Sequence, residues 1–309
     1  MVVPPNRAPL RFDGQVAVVT GVLSGLGRGY ALELARRGAT VVGSVRPGSE
    51  DGSEAWGLRE VARAEGLEFE LAPADAAVEA QASALVTEAI RRHGRLDVLV
   101  NNAGYNVPGP IQEGTTEQLR AMIDVALMGT FWTMVPALQH MREQACGRIV
   151  NTVSGAAMFA APGAFAYSAC KGAIQSMSRS AALDNADLDI RINMISPIAV
   201  TGLSPGYQDI HPDLDDDRMS VDRVVPAVVF LAHRACILNG HTLHAGAGRV
   251  AVAGSFVARG WGSDTLTAED VAAHIGDICD ESEIFPLSDR LAQYDLVPKR
   301  FEDFARWRQ

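Results

Sequence analysis

The strongest constraint on this chain is an eight-residue turn near its start. Thr20-Gly21-Val22-Leu23-Ser24-Gly25-Leu26-Gly27 directly follows a short β-branched run, Val16–Thr20, and opens an Ala/Leu/Arg stretch of helical period, Leu26–Arg37. Gly21 permits a tight turn, Gly25 lets the backbone approach a pyrophosphate, and Gly27 allows close packing where the helix begins. The helix N-terminus then faces the phosphate charge, with Ser24 and Leu26 at the same edge. Three glycines alone can be a plain structural turn, so the rest of the chain decides.

That rest alternates. Short runs rich in Val, Ile and Leu at Thr40–Val45, Glu68–Ala72, Leu96–Val100, Arg148–Val153, Ile190–Ser196 and His241–His244 are separated by helical stretches at Ser53–Glu65, Val78–His93, Thr116–Gln144, Ala164–Asp184 and Val221–Ala235. With Val16–Thr20 this makes seven strands with crossover helices, which predicts an α/β, Rossmann-type, doubly wound, seven-stranded parallel sheet. A single catalytic domain over 1–248 is expected, with a substrate loop at about 202–220. Residues 249–309 would form a C-terminal extension for packing or oligomerisation. In it, Thr267 reads as a helix N-cap, and Phe301, Phe304 and Trp307 as one apolar helix stripe.

Composition removes several classes. The formal charge is −10, with only two lysines, Lys171 and Lys299, and no basic cluster, so nucleic acid is not an expected partner. Residues 149–170 carry no charge but are broken by glycine, proline and polar side chains, so no membrane span is expected there. Cys146, Cys170, Cys236 and Cys279 form no paired motif, and His241 and His244 would point to opposite faces of a strand, so no metal site is expected. A cytoplasmic protein fits these features.

The second strand bears on the dinucleotide. A carboxylate at its end would bond the adenosine ribose and repel a 2′-phosphate. Here the run ends Ser44-Val45-Arg46, and a guanidinium there suits a phosphate. NADP(H) is therefore preferred, with NAD(H) possible if Arg46 is only a solvated loop residue. Further on, Tyr167 and Lys171 stand at i and i+4 of one helix, where an ammonium beside a phenol lowers its pKa for proton exchange with an alcohol or carbonyl oxygen.

In this order the motifs resemble the short-chain dehydrogenase/reductase family over nearly the whole chain: the turn at Thr20–Gly27, Asp75, Asn101-Asn102-Ala103-Gly104, Ser154, Tyr167 with Lys171, and Ser196-Pro197. The resemblance implies Tyr167 as general acid/base, Lys171 as the residue that tunes it and holds the nicotinamide ribose, and Ser154 as the group that bonds the reacting oxygen. It further implies cofactor contacts from Asp75, Asn102, Pro197 and Val200, a homodimer or homotetramer, and bacterial origin. The stretches around Pro197–Thr201, Leu231–Cys236 and Asn239–Gly248 are similar to the 3-hydroxyacyl-CoA dehydrogenase unit of type 2 multifunctional enzymes.

Two positions depart from the pattern. Ala126, just before Leu127-Met128-Gly129, stands where many family members carry a catalytic Asn, and Arg46 stands where the β-oxidation relatives carry an acid. Met158, Phe159, Ala160, Ala161, Phe165 and the run Leu203–Tyr207 suggest an apolar substrate site. The expectation is a reductive, NADP(H)-linked ketoreductase for an extended hydrophobic substrate: a polyketide, steroid or acyl thioester. The alternatives are an NAD-dependent 3-hydroxyacyl-CoA or hydroxysteroid dehydrogenase, and a cofactor-binding scaffold or non-redox lyase on the same fold.

Overall fold

The computed structural model describes residues 9–201, 217–262 and 267–286. Most of the expected substrate loop, the run 203–207 and the aromatic stripe at 301–307 lie outside the described residues.

The strands that line the sheet centre are apolar without alternation, because helices cover both faces and leave no solvated side. β1 (Val16–Val19) and β4 (Val98–Asn101) are buried throughout. They sit beside β2 (Thr40–Val45), β3 (Phe69–Pro73), β5 (Cys146–Thr152), β6 (Asp189–Ile198), β7 (Thr242–Gly246) and β8 (Arg249–Ala253) in one sheet of order β3-β2-β1-β4-β5-β6-β7-β8. β1 pairs in parallel with both β2 and β4, so the order of winding reverses between β1 and β4 and a crevice opens at the carboxyl ends of these strands.

One core holds Val19, Val41, Val100 and Val150 against Tyr30 and Leu34 of α1 (Gly25–Arg36), Leu58 of α2 (Ser53–Ala64) and Val228 and Leu231 near the chain's far end. A second holds Val18, Leu99, Ile149 and Ile192 against Leu85 and Val86 of α3 (Glu79–His93) and Met134 and Met141 further along. Each such side chain, fully buried, contributes about 1.5–3 kcal/mol relative to exposure.

α4 (Thr116–Met122) runs through one π-helical turn, Ile123–Met128, into α5 (Gly129–Gln144). This run is long and apolar enough to cross a membrane by length and composition. Here its Met122, Ala126, Met134, Ala137 and Met141 are buried in the protein core. α6 (Ala156–Phe159) and α7 (Phe165–Asp184) follow β5, and α8 (Val225–Ala232) precedes β7.

The seven expected parallel strands, β1–β7, are present, and the sheet gains an eighth, antiparallel strand: β7 and β8 form a hairpin with Gly246 opposite Arg249. Its two loop residues, Ala247 and Gly248, both have positive φ, as a two-residue turn of primed type requires. The first compact unit runs to Ala253, and a second begins at Gly254. Within that second unit, β9 (Phe256–Ala258) pairs antiparallel with β10 (Ile284–Pro286). Thr267 caps α9 (Ala268–Ala273) through a reciprocal capping box with Asp270, and α10 (Ile275–Ile278) follows.

Candidate active site

A cavity of about 450 Å³ opens at the carboxyl ends of β1, β2 and β4, lined by Gly21, Ser24, Gly25, Leu26, Arg46, Asp75, Asn102 and neighbours including Ser44, Tyr105, Val125 and Thr201. The glycine turn builds its floor. Gly21 and Gly25 have positive φ, and a Cβ at Gly27 would lie 2.1 Å from the Gly21 carbonyl oxygen, so the turn closes only with glycine there. Ser24 is the N-cap of α1 yet makes no capping bond through its side chain, and no acid stands in the first helical turn. The free N–H groups at that end suit an anionic phosphate.

The turn is braced from β2 and β4. Thr20 Oγ1 accepts from the backbone N–H groups of Asn102 and Ala103, both at 2.9 Å, while Gly21 N–H donates to Ser44 Oγ at 3.0 Å. Asn102 spends its side-chain amide on the carbonyls of Thr20 and Gly21, at 3.2 and 3.3 Å. It lines the cavity while shaping the turn. Asp75 lines the cavity too, and its Oδ1 accepts from Ala77 N–H at 2.9 Å in the turn that leads to α3. Arg46 stands exposed at the rim, and among the described residues it has no ion pair. The residues present thus fit a dinucleotide.

The reacting groups lie next to this cavity. β5 delivers Ser154 just beyond its end, and α7 presents Tyr167, whose ionised form the nearby Ser154 side chain favours. Ser154 Oγ also accepts from Ala156 N–H at 3.2 Å. Lys171 is buried, donates from Nζ to the Thr152 carbonyl at 2.7 Å, and lies 5.7 Å from the Tyr167 ring centroid. A Cβ at Gly104, on the cavity wall, would sit 3.8 Å from Lys171 Nζ, so the ammonium adjoins the cavity.

The electrostatics differ from the expected pattern in one respect. Burial pushes the Tyr167 phenol above its ordinary pKa, and the Ser154 side chain draws it only partly back. Burial also lowers Lys171 to about 8. The ammonium is directed to a backbone carbonyl, and desolvation dominates the phenol.

Beneath the site runs a buried polar chain. Thr133 Oγ1 donates to Asn101 Oδ1, Asn101 Nδ2 to Asn151 Oδ1, and Asn151 Nδ2 to Ser178 Oγ, at 2.7, 2.9 and 2.7 Å. It ties β4 and β5 to α5 and α7 and so fixes where Ser154 and Tyr167 emerge. Ala126 lies in the π-helical turn among Met122, Val153, Cys170 and Met194, an apolar surrounding with no side-chain polar group at that position. Pro197 and Val200 follow at the end of β6, where Val200 N–H donates to the Met219 carbonyl at 2.9 Å; neither lines the cavity, whereas Thr201 does. Ser44 and Thr152 are functional neighbours that motif spacing does not single out, since each acts through backbone contacts visible only in three dimensions.

The fold and this cluster define a nicotinamide-type oxidoreductase of the Rossmann class. The chain belongs to the short-chain dehydrogenase/reductase family, whose short chain dehydrogenase model matches residues 15–209. It is 32% identical over 245 residues to the peroxisomal multifunctional enzyme type 2 of Drosophila melanogaster, covering 77% of this chain but only 40% of that protein. The chain thus spans well under half of that relative. A short chain dehydrogenase from Mycobacterium avium matches with a TM-score of 0.77 at 29% identity, covering 90% of this chain and 99% of the other. A gluconate 5-dehydrogenase from Burkholderia cenocepacia, solved with NADP and tartrate, matches with a TM-score of 0.69 at 30% identity, covering 77% and 96%. The protein is an oxidoreductase of this family.

Proposed function

We propose that the protein is an NADP(H)-dependent ketoreductase that converts an extended hydrophobic ketone into a secondary alcohol. The carrying observation is the Arg46 guanidinium, exposed and unpaired among the described residues at the end of β2, on a cavity wall that offers no carboxylate there. The NADP in the gluconate 5-dehydrogenase structure supports the same reading. When bound, the nicotinamide supplies the hydride.

The chain's own residues do the rest. Ser154 hydrogen-bonds the carbonyl oxygen and stabilises the charge that develops on it. Tyr167, held protonated by burial, gives its proton to that oxygen as the alcohol forms. Lys171 places positive charge beside the cavity and next to Tyr167. A phenol kept protonated can donate its proton in the reductive direction. Substrate apolarity is supported by Met158 and Phe159 beside Ser154. A homodimer or homotetramer is supported by Phe131 and Val135, exposed one turn apart on α5, and a reducing cytoplasm by four free cysteines.

The test is oxidation of NADPH and NADH against a panel of apolar ketones with the wild type and Tyr167→Phe. Turnover with NADPH that falls about 10²- to 10⁴-fold in the variant, with cofactor binding retained, is expected. A preference for NADH, or an active variant, overturns the reading.

A further inference from the structure

His244 of β7 stands directly opposite Ser196 of β6, and its Nδ1 lies 2.9 Å from Ser196 Oγ. Val153 N–H donates to the Ile195 carbonyl, so the strand that ends in Ser154 runs beside the residues that hold this imidazole. The ring faces the catalytic segment. A Cβ at Gly155 would come within 3.8 Å of His244 Cε1 and 3.4 Å of the Phe159 ring, so the glycine after Ser154 leaves a gap there. Phe159 meets the imidazole edge-on, centroids 5.8 Å apart, yet remains 65% exposed. Phe159 thus presents an open apolar ring against Gly155, the residue after Ser154.

The imidazole is half satisfied. Among the described residues, Nε2 has no hydrogen-bond partner. His233 shows the contrast of a histidine with a structural role: its Nδ1 accepts from Ala235 N–H and its Nε2 bonds the Arg11 carbonyl, at 3.1 Å each. Burial, helped by Arg249, lowers the pKa of His244, so it meets a ligand at neutral pH as a hydrogen-bonding ring without charge.

We propose that His244 is a specificity-determining residue for the ketone, with Nε2 bonding a second oxygen of the substrate and Phe159 covering the apolar carbons between the two oxygens. This rests on the ketoreductase reading. Two strand spacings separate β5 from β7, so the second oxygen lies within roughly 10 Å of the reacting one. The substrate class is therefore a ketone with an additional carbonyl or hydroxyl along an apolar chain.

The experiment compares medium-chain methyl ketones with diketones of the same chain lengths, using NADPH and NADH with the wild type, His244→Phe and His244→Gln. His244→Phe keeps a ring against Phe159 but loses the polar atom. It is expected to raise KM for the diketones about tenfold, the worth of one hydrogen bond, with kcat and the methyl-ketone KM unchanged. His244→Gln, which restores a polar end, is expected to recover most of the diketone KM and serves alone if the first variant fails to fold. An equal change for both series, or no change in either, overturns the role of His244 while leaving the ketoreductase reading intact. A wild type that reduces neither series with either cofactor overturns that reading, and the role of His244 with it.

Discussion

Tyr167 and Lys171 carry opposite consequences of one cause. Burial favours the neutral form of each, raising the phenol and lowering the ammonium to about 8. In the reductive direction the acid is thus present throughout neutral pH, whereas the positive charge beside it is lost as pH rises through about 8. Ketone reduction is expected to be flat in kcat/KM between about pH 6 and 7.5 and to fall above 8, while alcohol oxidation, which needs the phenolate, rises over the same alkaline range. Parallel profiles for the two directions would contradict the assignment of Tyr167. Arg46 makes a separate prediction. Charge-assisted bonds to a phosphate contribute about 1.5–3 kcal/mol, so Arg46→Asp is expected to weaken NADPH binding about 10- to 150-fold and to leave NADH binding equal or tighter. Cofactor fluorescence titrations measure both. The placement of Tyr167 and Lys171 side by side on one helix was legible because it is local to a motif; the pKa of Tyr167 was not, because desolvation depends on what α6, α7 and β5 pack around it.

Among the elements, buried parallel strands announce themselves. Thr40–Val45 is a strand in the sequence reading and in the structure alike, since an apolar β-branched run between helical stretches has few other uses. β8 was hidden because its hairpin turns through Ala247-Gly248, and alanine is an uncommon residue for a position with positive φ. The π-helical turn at Ile123–Met128 was hidden as well, since periodicity reads Thr116–Gln144 as one helix. α6 is too short to register, but its end matters. Ala160 has φ 57° and ψ 169°, a region that only glycine adopts readily, and it lies between Ser154 and Tyr167. Such a residue costs about 1–3 kcal/mol, and glycine there costs about 0.5–1 kcal/mol in chain entropy. Ala160→Gly is therefore expected to stabilise the protein by about 1 kcal/mol, read as a higher urea midpoint at unchanged slope. A lower midpoint would show that the strain is not borne at this residue.

At the scale of the whole catalytic unit, the chain's start is fastened to a point more than two hundred residues later. Phe12 is fully buried, takes a backbone bond from its N–H to the Arg37 carbonyl at 2.8 Å, and meets His233 edge-on at 5.2 Å. His233 Nε2 bonds the Arg11 carbonyl while Nδ1 accepts from Ala235 N–H, an arrangement that requires the neutral ring with its proton on Nε2. Burial lowers its pKa, with Arg234, Arg148 and Arg37 adding to the effect against the bond to Arg11. The folded value thus lies below the ordinary 6.5, which the unfolded chain retains. The stabilisation is complete above 6.5 and is lost as pH falls through the lower folded value, because the unfolded chain then binds the proton more readily. Between pH 8 and 5 the wild type is expected to lose Tm. His233→Gln should start lower at pH 8, having lost the ring's packing on Phe12, and decline less steeply toward pH 5, since one of the titrating groups is gone. The remaining slope belongs in part to His244, which burial also depresses. Thermal melts of the two proteins across that range decide the matter: curves that stay parallel would show that His233 holds the chain's start by packing alone, and that its protonation does not loosen it.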